Sequence, residues 1–175
     1  ACPLARAAVP ANVGAIMGVE ASVAEPLAAF VKCGGTCETA KNKYDYFGID
    51  DCNMAVQLAG GGAKSCSYGC LGLGSCKKAC AFGAIEIVDG IAVVDKEKCV
   101  ACGKCVSACP KHIIELLPAK KKVKVQCSSK DIGKNVMQVC STGCIACKIC
   151  EKNCPFDAIH VIDNVAVIDY DKCKS

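Results

Sequence analysis

A run of four cysteines at short, regular spacing lies near the middle of this sequence. It reads C-x2-C-x2-C-x3-C-P over Cys99, Cys102, Cys105, Cys109 and Pro110. Thiolates at this spacing are typical of [4Fe–4S] binding, in which three on one loop bind one cube and the fourth reaches a second cube. Zinc sites usually use two separated C-x2-C pairs instead. The run therefore predicts iron–sulfur chemistry and a partner run elsewhere in the chain.

The composition points to metal-dependent folding. The 175 residues include 19 Cys, no Trp and only 5% aromatic residues, which is poor material for an ordinary hydrophobic core. A cysteine content this high usually indicates disulfides or metal. The repeated short spacings favour metal in a reducing cytoplasm. We therefore expect cluster binding to supply much of the folding free energy.

The formal charge of +4 does not indicate a nucleic-acid partner. That value counts each Cys as neutral, whereas a thiolate-bound oxidised cube carries about two negative charges. Several bound cubes make the net charge weakly negative. The basic residues at 120–122 and Lys124 are expected to form a solvated loop face or a surface that steers an acidic electron carrier.

The cysteine runs divide the chain into four predicted segments with an α+β fold. Residues 1–31 form a linker and strand segment that follows a missing cluster domain, and residues 32–65 form a cysteine-containing insertion. Residues 66–126 and 127–175 form tandem bacterial-type 2[4Fe–4S] ferredoxin-like units of short helices and β-hairpins, the second incomplete at its C-terminus.

The first 65 residues contain short apolar stretches and isolated cysteines. Val13–Val19 and Leu27–Val31 are predicted strands separated by Pro and Gly. No apolar run of about 20 residues is present that spans a membrane. Cys2 precedes a proline and is interpreted either as a cluster ligand whose companions lie before residue 1 or as a buried thiol. A helix is predicted after Cys52 and ends at three glycines.

An internal repeat links the two ferredoxin-like units. Phe82–Cys99 aligns without gaps with Phe156–Cys173, which gives a period of 74 residues, the separation of the two terminal cysteines. Each copy alternates apolar and polar residues around a turn such as Asp89-Gly90, so each predicts a β-hairpin. The second copy follows a regular run of four cysteines: Cys144, Cys147, Cys150 and Cys154. Cys173 occupies the place of Cys99, so the remaining ligands are expected beyond Ser175 in a longer protein.

The two-cluster rule assigns ligands in the first unit. It gives one cluster the set Cys80, Cys99, Cys102 and Cys105. Cys109 then joins a second cluster, but Leu73 stands where the second unit has a cysteine. Cys66 is the nearest cysteine that could replace the missing thiolate, which gives the second cluster the ligands Cys66, Cys70, Cys76 and Cys109. A rival assignment places Cys66 in a separate cluster with Cys33, Cys37 and Cys52. Cys127 and Cys140 have no assigned role, although Cys140 aligns with Cys66 and Cys127 shares a Val-x-Cys context with Cys33.

The order of these motifs resembles the B subunit of the Rnf electron-transport complex. The resemblance rests on Cys33-Gly-Gly-Thr-Cys37, Tyr46-Phe-Gly-Ile-Asp-Asp-Cys52 and Cys66-Ser-Tyr-Gly-Cys-Leu-Gly-Leu-Gly-Ser-Cys76, followed by the two ferredoxin-like units. Family members begin with a membrane helix and a small cluster domain that ends in Cys-Pro, to which Cys2-Pro3 corresponds. The chain departs from the ferredoxin pattern at Leu73 and at Ala81, where proline is expected.

The resemblance implies an electron-relay subunit on the cytoplasmic face of the cell membrane. Its donor is reduced ferredoxin, its partners are other membrane subunits, and the complex couples ferredoxin:NAD+ oxidoreduction to Na+ or H+ pumping. At least two complete [4Fe–4S] clusters are expected in this chain, with three or four as the fuller expectation and more in the whole protein.

Two other functions stay open at this point. One is a polyferredoxin subunit of a hydrogenase or another reductase. The other is a zinc- or disulfide-stapled interaction module without redox chemistry. No nucleophile–base pair is present, so no residue is predicted to be catalytic in bond chemistry.

Overall fold

A computed structural model describes residue 16 and residues 25–174. Cys2 lies outside the described residues, as does the predicted strand at 13–19 apart from Ile16. The described chain is α+β, as predicted. Its strands are β1 (Leu27–Val31), β2 (Ile85–Val88), β3 (Ile91–Val94), β4 (Ile114–Pro118), β5 (Ile159–Ile162) and β6 (Val165–Ile168). Its helices are α1 (Cys52–Val56), α2 (Ser75–Ala79), α3 (Lys104–Ala108), α4 (Gly133–Val139) and α5 (Ile149–Lys152), with a 3-10 turn at Ala59–Gly61.

Each copy of the 74-residue sequence repeat forms a β-hairpin in the structure. β2 pairs with β3 from Ile85 opposite Val94, and β5 pairs with β6 from Ile159 opposite Ile168. The turn residues have positive φ angles in both hairpins, 48° and 75° at Asp89-Gly90 and 49° and 63° at Asp163-Asn164. Gly, Asn and Asp tolerate this conformation, which matches the twist of paired strands. The predicted hairpins are confirmed.

The predicted strand Leu27–Val31 is confirmed as β1, and it pairs with a strand of the first unit. It pairs in antiparallel register with β4, from Leu27 opposite Pro118 to Val31 opposite Ile114. Ala29 and Val31 pack in the same buried cluster as Ile85, Ile113 and Ile114. The sequence did not predict this pairing, because the two strands lie more than 80 residues apart and local sequence gives no register.

A turn built on aspartate leads into the corresponding cysteines of both repeats. Asp95 Oδ1 accepts the backbone N–H of Glu97 at 2.9 Å, and the Cys99 N–H donates to the Asp95 carbonyl at 3.0 Å. Asp169 makes the equivalent contacts with Asp171 and Cys173 at 3.0 Å each. The backbone hydrogen bond from Glu97 lowers the pKa of Asp95. The same local hydrogen bonds therefore orient the chain at Cys99 and Cys173.

A glycine in the first unit allows the cysteine loop to approach the hairpin. Gly72 has a φ of +74°, and a Cβ added there lies 2.5 Å from the Gly90 carbonyl oxygen. Gly83 has a φ of +58°, but an added Cβ meets nothing within 4 Å. Positive φ costs an L-residue roughly 1–2 kcal/mol, and overlap in a packed region adds about 1–3 kcal/mol.

We expect Gly72→Ala to lower the denaturant midpoint clearly more than the matched variant Gly83→Ala. Both variants carry the cost of positive φ, but only Gly72→Ala forces two loops apart. Anaerobic guanidinium titrations that follow the visible absorbance of the clusters measure the difference. Equal midpoints for the two variants would show that the loop and the hairpin do not depend on this contact.

Within residue 16 and residues 25–174, no helix has the length and hydropathy needed to cross a bilayer.

Candidate functional site

Twelve of the described cysteines line three hollows, four around each. We call them site A, with Cys80, Cys99, Cys102 and Cys105; site B, with Cys52, Cys70, Cys76 and Cys109; and site C, with Cys33, Cys66, Cys127 and Cys140. The space within each hollow, including the part open to solvent, is about 330 Å³ at site A and about 370 Å³ at sites B and C. The property that the three hollows share is a wall that contains four cysteines.

Site A is built by the regular cysteine run and by the end of α2. Cys80 follows the last residue of α2, and Cys105 lies within α3. Between Cys99 and α3 the loop turns back through positive φ angles at Ala101 (56°) and Gly103 (79°). The backbone N–H of Ala29 in β1 donates to Cys99 Sγ at 3.3 Å. The structure therefore brings together the four thiols that the two-cluster rule assigns to one cluster.

Site B includes Cys52 in place of Cys66. Asp51 caps α1 by accepting the backbone N–H groups of Asn53 and Met54, and Cys52 is the first residue of that helix. The backbone N–H of Cys52 donates to Ser75 Oγ at 2.7 Å, so α1 begins beside the start of α2. The insertion thus folds back and supplies the thiol that is missing at Leu73. Its only signal in the sequence was a cysteine directly after an N-capping aspartate.

Cys66 instead lies at site C with Cys33, Cys127 and Cys140. Burial raises the pKa of the Cys66 thiol, and the sulfurs of the other three cysteines add to that rise. Sequence reasoning had no role for Cys127 and Cys140. The signal that pointed to them was the internal alignment, in which each corresponds to a cysteine of this same hollow.

Burial raises the pKa of several of these thiols and so disfavours their thiolate form when no metal is bound. It raises the pKa of Cys76 to about 12, with further rises from the sulfurs of Cys70, Cys52 and Cys109. Burial also raises the pKa of Cys70 and of Cys105. Four crowded thiolates repel each other in a low-dielectric site, and a positively charged metal core removes this cost. Loading of the sites therefore displaces thiol protons.

Cys37 lines none of the three hollows. It is exposed, its backbone N–H donates to the Asp89 carbonyl at 2.8 Å, and its sulfur lies against the turn of the β2–β3 hairpin at Gly90. The rival set of Cys33, Cys37, Cys52 and Cys66 is therefore not brought together, because its members divide between site B, site C and the surface.

The second cysteine run has the loop conformation that is seen at site A. Ala146 and Lys148 have φ angles of 56° and 59°, and Ala101 and Gly103, at the same places in the C-x2-C-x2-C pattern, also have positive φ angles. The backbone N–H of Ala158 donates to Cys154 Sγ at 3.4 Å. The cysteines of this run and Cys173 range from exposed to buried: Cys147 and Cys150 exposed, Cys144 and Cys154 half-buried, and Cys173 buried. None of them lines sites A, B or C, so their ligand role stays a prediction.

The donor sets fit [4Fe–4S] clusters. Each of the three hollows offers four thiols, one for each iron of a cube. No disulfide joins cysteines within the described part of the chain. Among the same residues, no three His, Cys, Asp or Glu side chains converge closely enough to hold a single metal ion.

Comparison with known proteins identifies the same chemistry. The 4Fe-4S binding domain family matches residues 92–115 and 141–160, which contain the two regular cysteine runs. The B subunit of the Na(+)-translocating ferredoxin:NAD(+) oxidoreductase complex of Acetobacterium woodii is 53% identical over 99% of this chain and 52% of its own length. This chain is thus similar over nearly its whole length to B subunits of such complexes. The resemblance predicted from the cysteine motifs is confirmed, and so are the 4Fe-4S binding domains.

Two further relatives of the same kind extend the comparison. The B subunit of an ion-translocating oxidoreductase complex of Methanosarcina acetivorans is 43% identical over 99% of this chain and 66% of its own length. The B subunit of the proton-translocating ferredoxin:NAD(+) oxidoreductase complex of Clostridium ljungdahlii is 46% identical over 99% of this chain and 61% of its own length. The chain thus spans between about half and two thirds of the length of these relatives.

Proposed function

We propose that this chain relays single electrons through cysteine-bound [4Fe–4S] clusters within an ion-translocating ferredoxin:NAD+ oxidoreductase complex. The observation that carries the proposal is the sharing of helices between sites A and B. Helix α2 holds Cys76 of site B and is followed by Cys80 of site A. Helix α3 holds Cys105 of site A and is followed by Cys109 of site B. Two sites joined by two short helices are close enough to pass electrons in series.

The protein contributes position, burial and hydrogen bonds to this relay. The clusters supply the one-electron chemistry when they are bound. Cys70, Cys76 and Cys105 are buried, so the surrounding chain excludes water from the thiolates. The N–H of Ala29 that donates to Cys99 Sγ stabilises negative charge on that sulfur. Such bonds favour the more negative reduced state and raise the reduction potential of site A.

The donor and partners that we propose follow from the names of the relatives. Reduced ferredoxin is the donor, the other subunits of the complex are the acceptors, and the chain lies at the cytoplasmic face of the membrane. Lys120 and Lys122 are exposed, as expected for a surface that steers an acidic carrier. A hydrogenase-linked polyferredoxin is the remaining alternative, and the proteins that co-purify with the native chain distinguish the two.

Cys102→Ala tests the relay, because Cys102 is an exposed thiol of site A that lies outside the buried cluster of the first unit. In the whole complex, we expect this variant to lose the electron paramagnetic resonance (EPR) signal of site A and to lose ferredoxin-dependent NAD+ reduction. Cys37→Ala is the matched control, since it removes another exposed cysteine that lines no hollow, and it should retain both. If Cys102→Ala lost the signal but reduced NAD+ at the normal rate, electrons would not pass through site A.

A further inference from the structure

The four cysteines of site C come from four separate parts of the chain. Cys33 follows β1, Cys66 precedes the first cysteine loop, and Cys127 and Cys140 lie in the second repeat. Cys66 and Cys140 are equivalent positions, separated by the 74-residue period that also separates Cys99 from Cys173. Cys33 and Cys127 share their Val-x-Cys context. Equivalent positions around both repeats thus contribute thiols to one hollow.

Backbone hydrogen bonds hold these distant segments together. The N–H of Gly34 donates to the Gln126 carbonyl at 2.9 Å, which places the chain after Cys33 beside the chain before Cys127. The N–H of Lys41 donates to the Val139 carbonyl at 2.9 Å, and Ala40 forms a bridge with Cys140. Because these bonds cross about 90 to 100 residues of sequence, the protein itself positions the four thiols.

Two glycines, Gly35 and Gly69, form part of the wall of the hollow. A Cβ on Gly35 would lie 3.0 Å from the Ala40 Cβ, and it would be in ordinary contact with Cys140 Sγ at 3.4 Å and Cys33 Sγ at 3.7 Å. A Cβ on Gly69 would lie 3.0 Å from Lys64 Cδ. The backbone at Gly35 therefore passes directly beside two of the four thiols.

A buried cation lies at the same hollow. Lys64 is 8% exposed, lines site C, and donates from Nζ to the Gly35 carbonyl at 2.6 Å. A buried ammonium group needs a nearby negative charge, and a thiolate-bound cube carries about two negative charges when oxidised. The charge of Lys64 therefore complements a cluster and favours its more negative reduced state.

Site C also contacts site B directly. The backbone N–H of Cys70, a site B cysteine, donates to Cys33 Sγ at 3.3 Å. This hydrogen bond joins a thiolate of one hollow to the backbone of a cysteine from the other. Electrons that reach site B thus have a short path to site C, and from there to the second repeat, which supplies Cys127 and Cys140.

We infer that Cys33, Cys66, Cys127 and Cys140 bind a further [4Fe–4S] cluster that joins the two ferredoxin-like units electronically. This inference rests on the proposed relay, with ferredoxin as the source of electrons. One electron passes from the reduced cluster at site B to the oxidised cluster at site C. The site B cluster is thereby oxidised by one electron, and the site C cluster is reduced by one electron. No bond breaks and no proton moves.

The test uses Cys127→Ala and Cys140→Ala in the anaerobically purified full-length protein, with Cys37→Ala as control. We expect each site C variant to lose about four irons and about four acid-labile sulfides per chain and the control to lose none. Iron content equal to that of the unsubstituted protein would overturn the inference. Loss of one zinc instead of iron would overturn it as well, because site C would then be structural.

A second variant keeps all four thiols in case the cysteine variants do not fold. Lys64→Met retains the length of the side chain but removes its charge. We expect unchanged iron content and, in a Cys52→Ala background that lacks the site B cluster, a more negative midpoint potential for one cluster, measured by EPR redox titration. If no cluster shifted in that background, Lys64 would not face a cluster at site C and the inference would fail.

Failure of this inference and failure of the proposed relay give different results. Iron counts and the Lys64→Met titration, in which a chemical reductant supplies the electrons, require neither ferredoxin nor the rest of the complex. Cys102→Ala tests the relay through site A whether or not site C holds iron. A protein with normal relay activity but no iron at site C would therefore reject the inference alone.

Discussion

Removal of iron from the folded protein should abolish its cooperative unfolding transition and most of its regular structure. The buried cluster that organises the first unit consists partly of cysteines, including Cys33, Cys70, Cys76 and Cys105. Among the described residues, the largest fully buried side chains are only Ile85, Val136 and Ser129. Without metal, the core of the first unit would contain poorly packed thiols around empty space. The free energy of cluster binding, which contributes to the free energy of folding, would also be lost.

Anaerobic chelation followed by circular dichroism measures this effect. We expect the far-ultraviolet signal to collapse toward that of an unfolded chain and the thermal transition to disappear. Reconstitution with iron and sulfide should restore both, which separates metal loss from chemical damage. An apo-protein that kept a cooperative transition would mean that the small apolar core and the hairpins are sufficient for the fold.

Pairs of cysteine substitutions should identify which thiols share a cluster, with a large difference in iron content. Cys52→Ala and Cys76→Ala each remove a thiol from site B, so the double variant should lose no more than either single variant, about four irons per chain. Cys52→Ala combined with Cys66→Ala should lose about eight, because these residues lie at different hollows. A double variant whose iron loss is smaller than the sum of the two single losses thus identifies two cysteines that bind the same cluster.

Two controls make this result specific. Cys37→Ala alone should leave the iron content unchanged. Added to Cys52→Ala, it should cause no loss of iron beyond that of Cys52→Ala. Far-ultraviolet circular dichroism of each variant shows whether iron loss follows from unfolding. If Cys66→Ala and Cys76→Ala proved non-additive while Cys52→Ala retained all iron, Cys66 would be the fourth ligand of the site B cluster, as the spacing of the sequence had suggested.

Local features of the fold could be predicted from sequence because each depends on residues close together in the chain. The turns at Asp89-Gly90 and Asp163-Asn164 require residues that tolerate positive φ, and alternating apolar residues on each side specify the strands. Site A could be predicted for the same reason. Three of its thiols lie on one loop of seven residues, Cys99–Cys105, and the fourth follows the helix of the partner run.

The membership of sites B and C could not be predicted, because it depends on how distant segments pack. Cys66 and Cys70 are four residues apart and yet line different hollows. The loop between them passes along the boundary of the two sites, where the Cys70 N–H donates to Cys33 Sγ. Proximity in sequence was therefore a poor guide to which thiol completes site B.

Long-range backbone contacts supplied the missing information. The bond between Cys52 and Ser75 places α1 beside α2, and the bond between Gly34 and Gln126 places Cys33 near Cys127. Spacing thus identifies which residues bind iron when the ligands share a loop, since the loop geometry is local. The grouping of ligands from separate segments depends on tertiary hydrogen bonds and packing, whose partners no local pattern specifies.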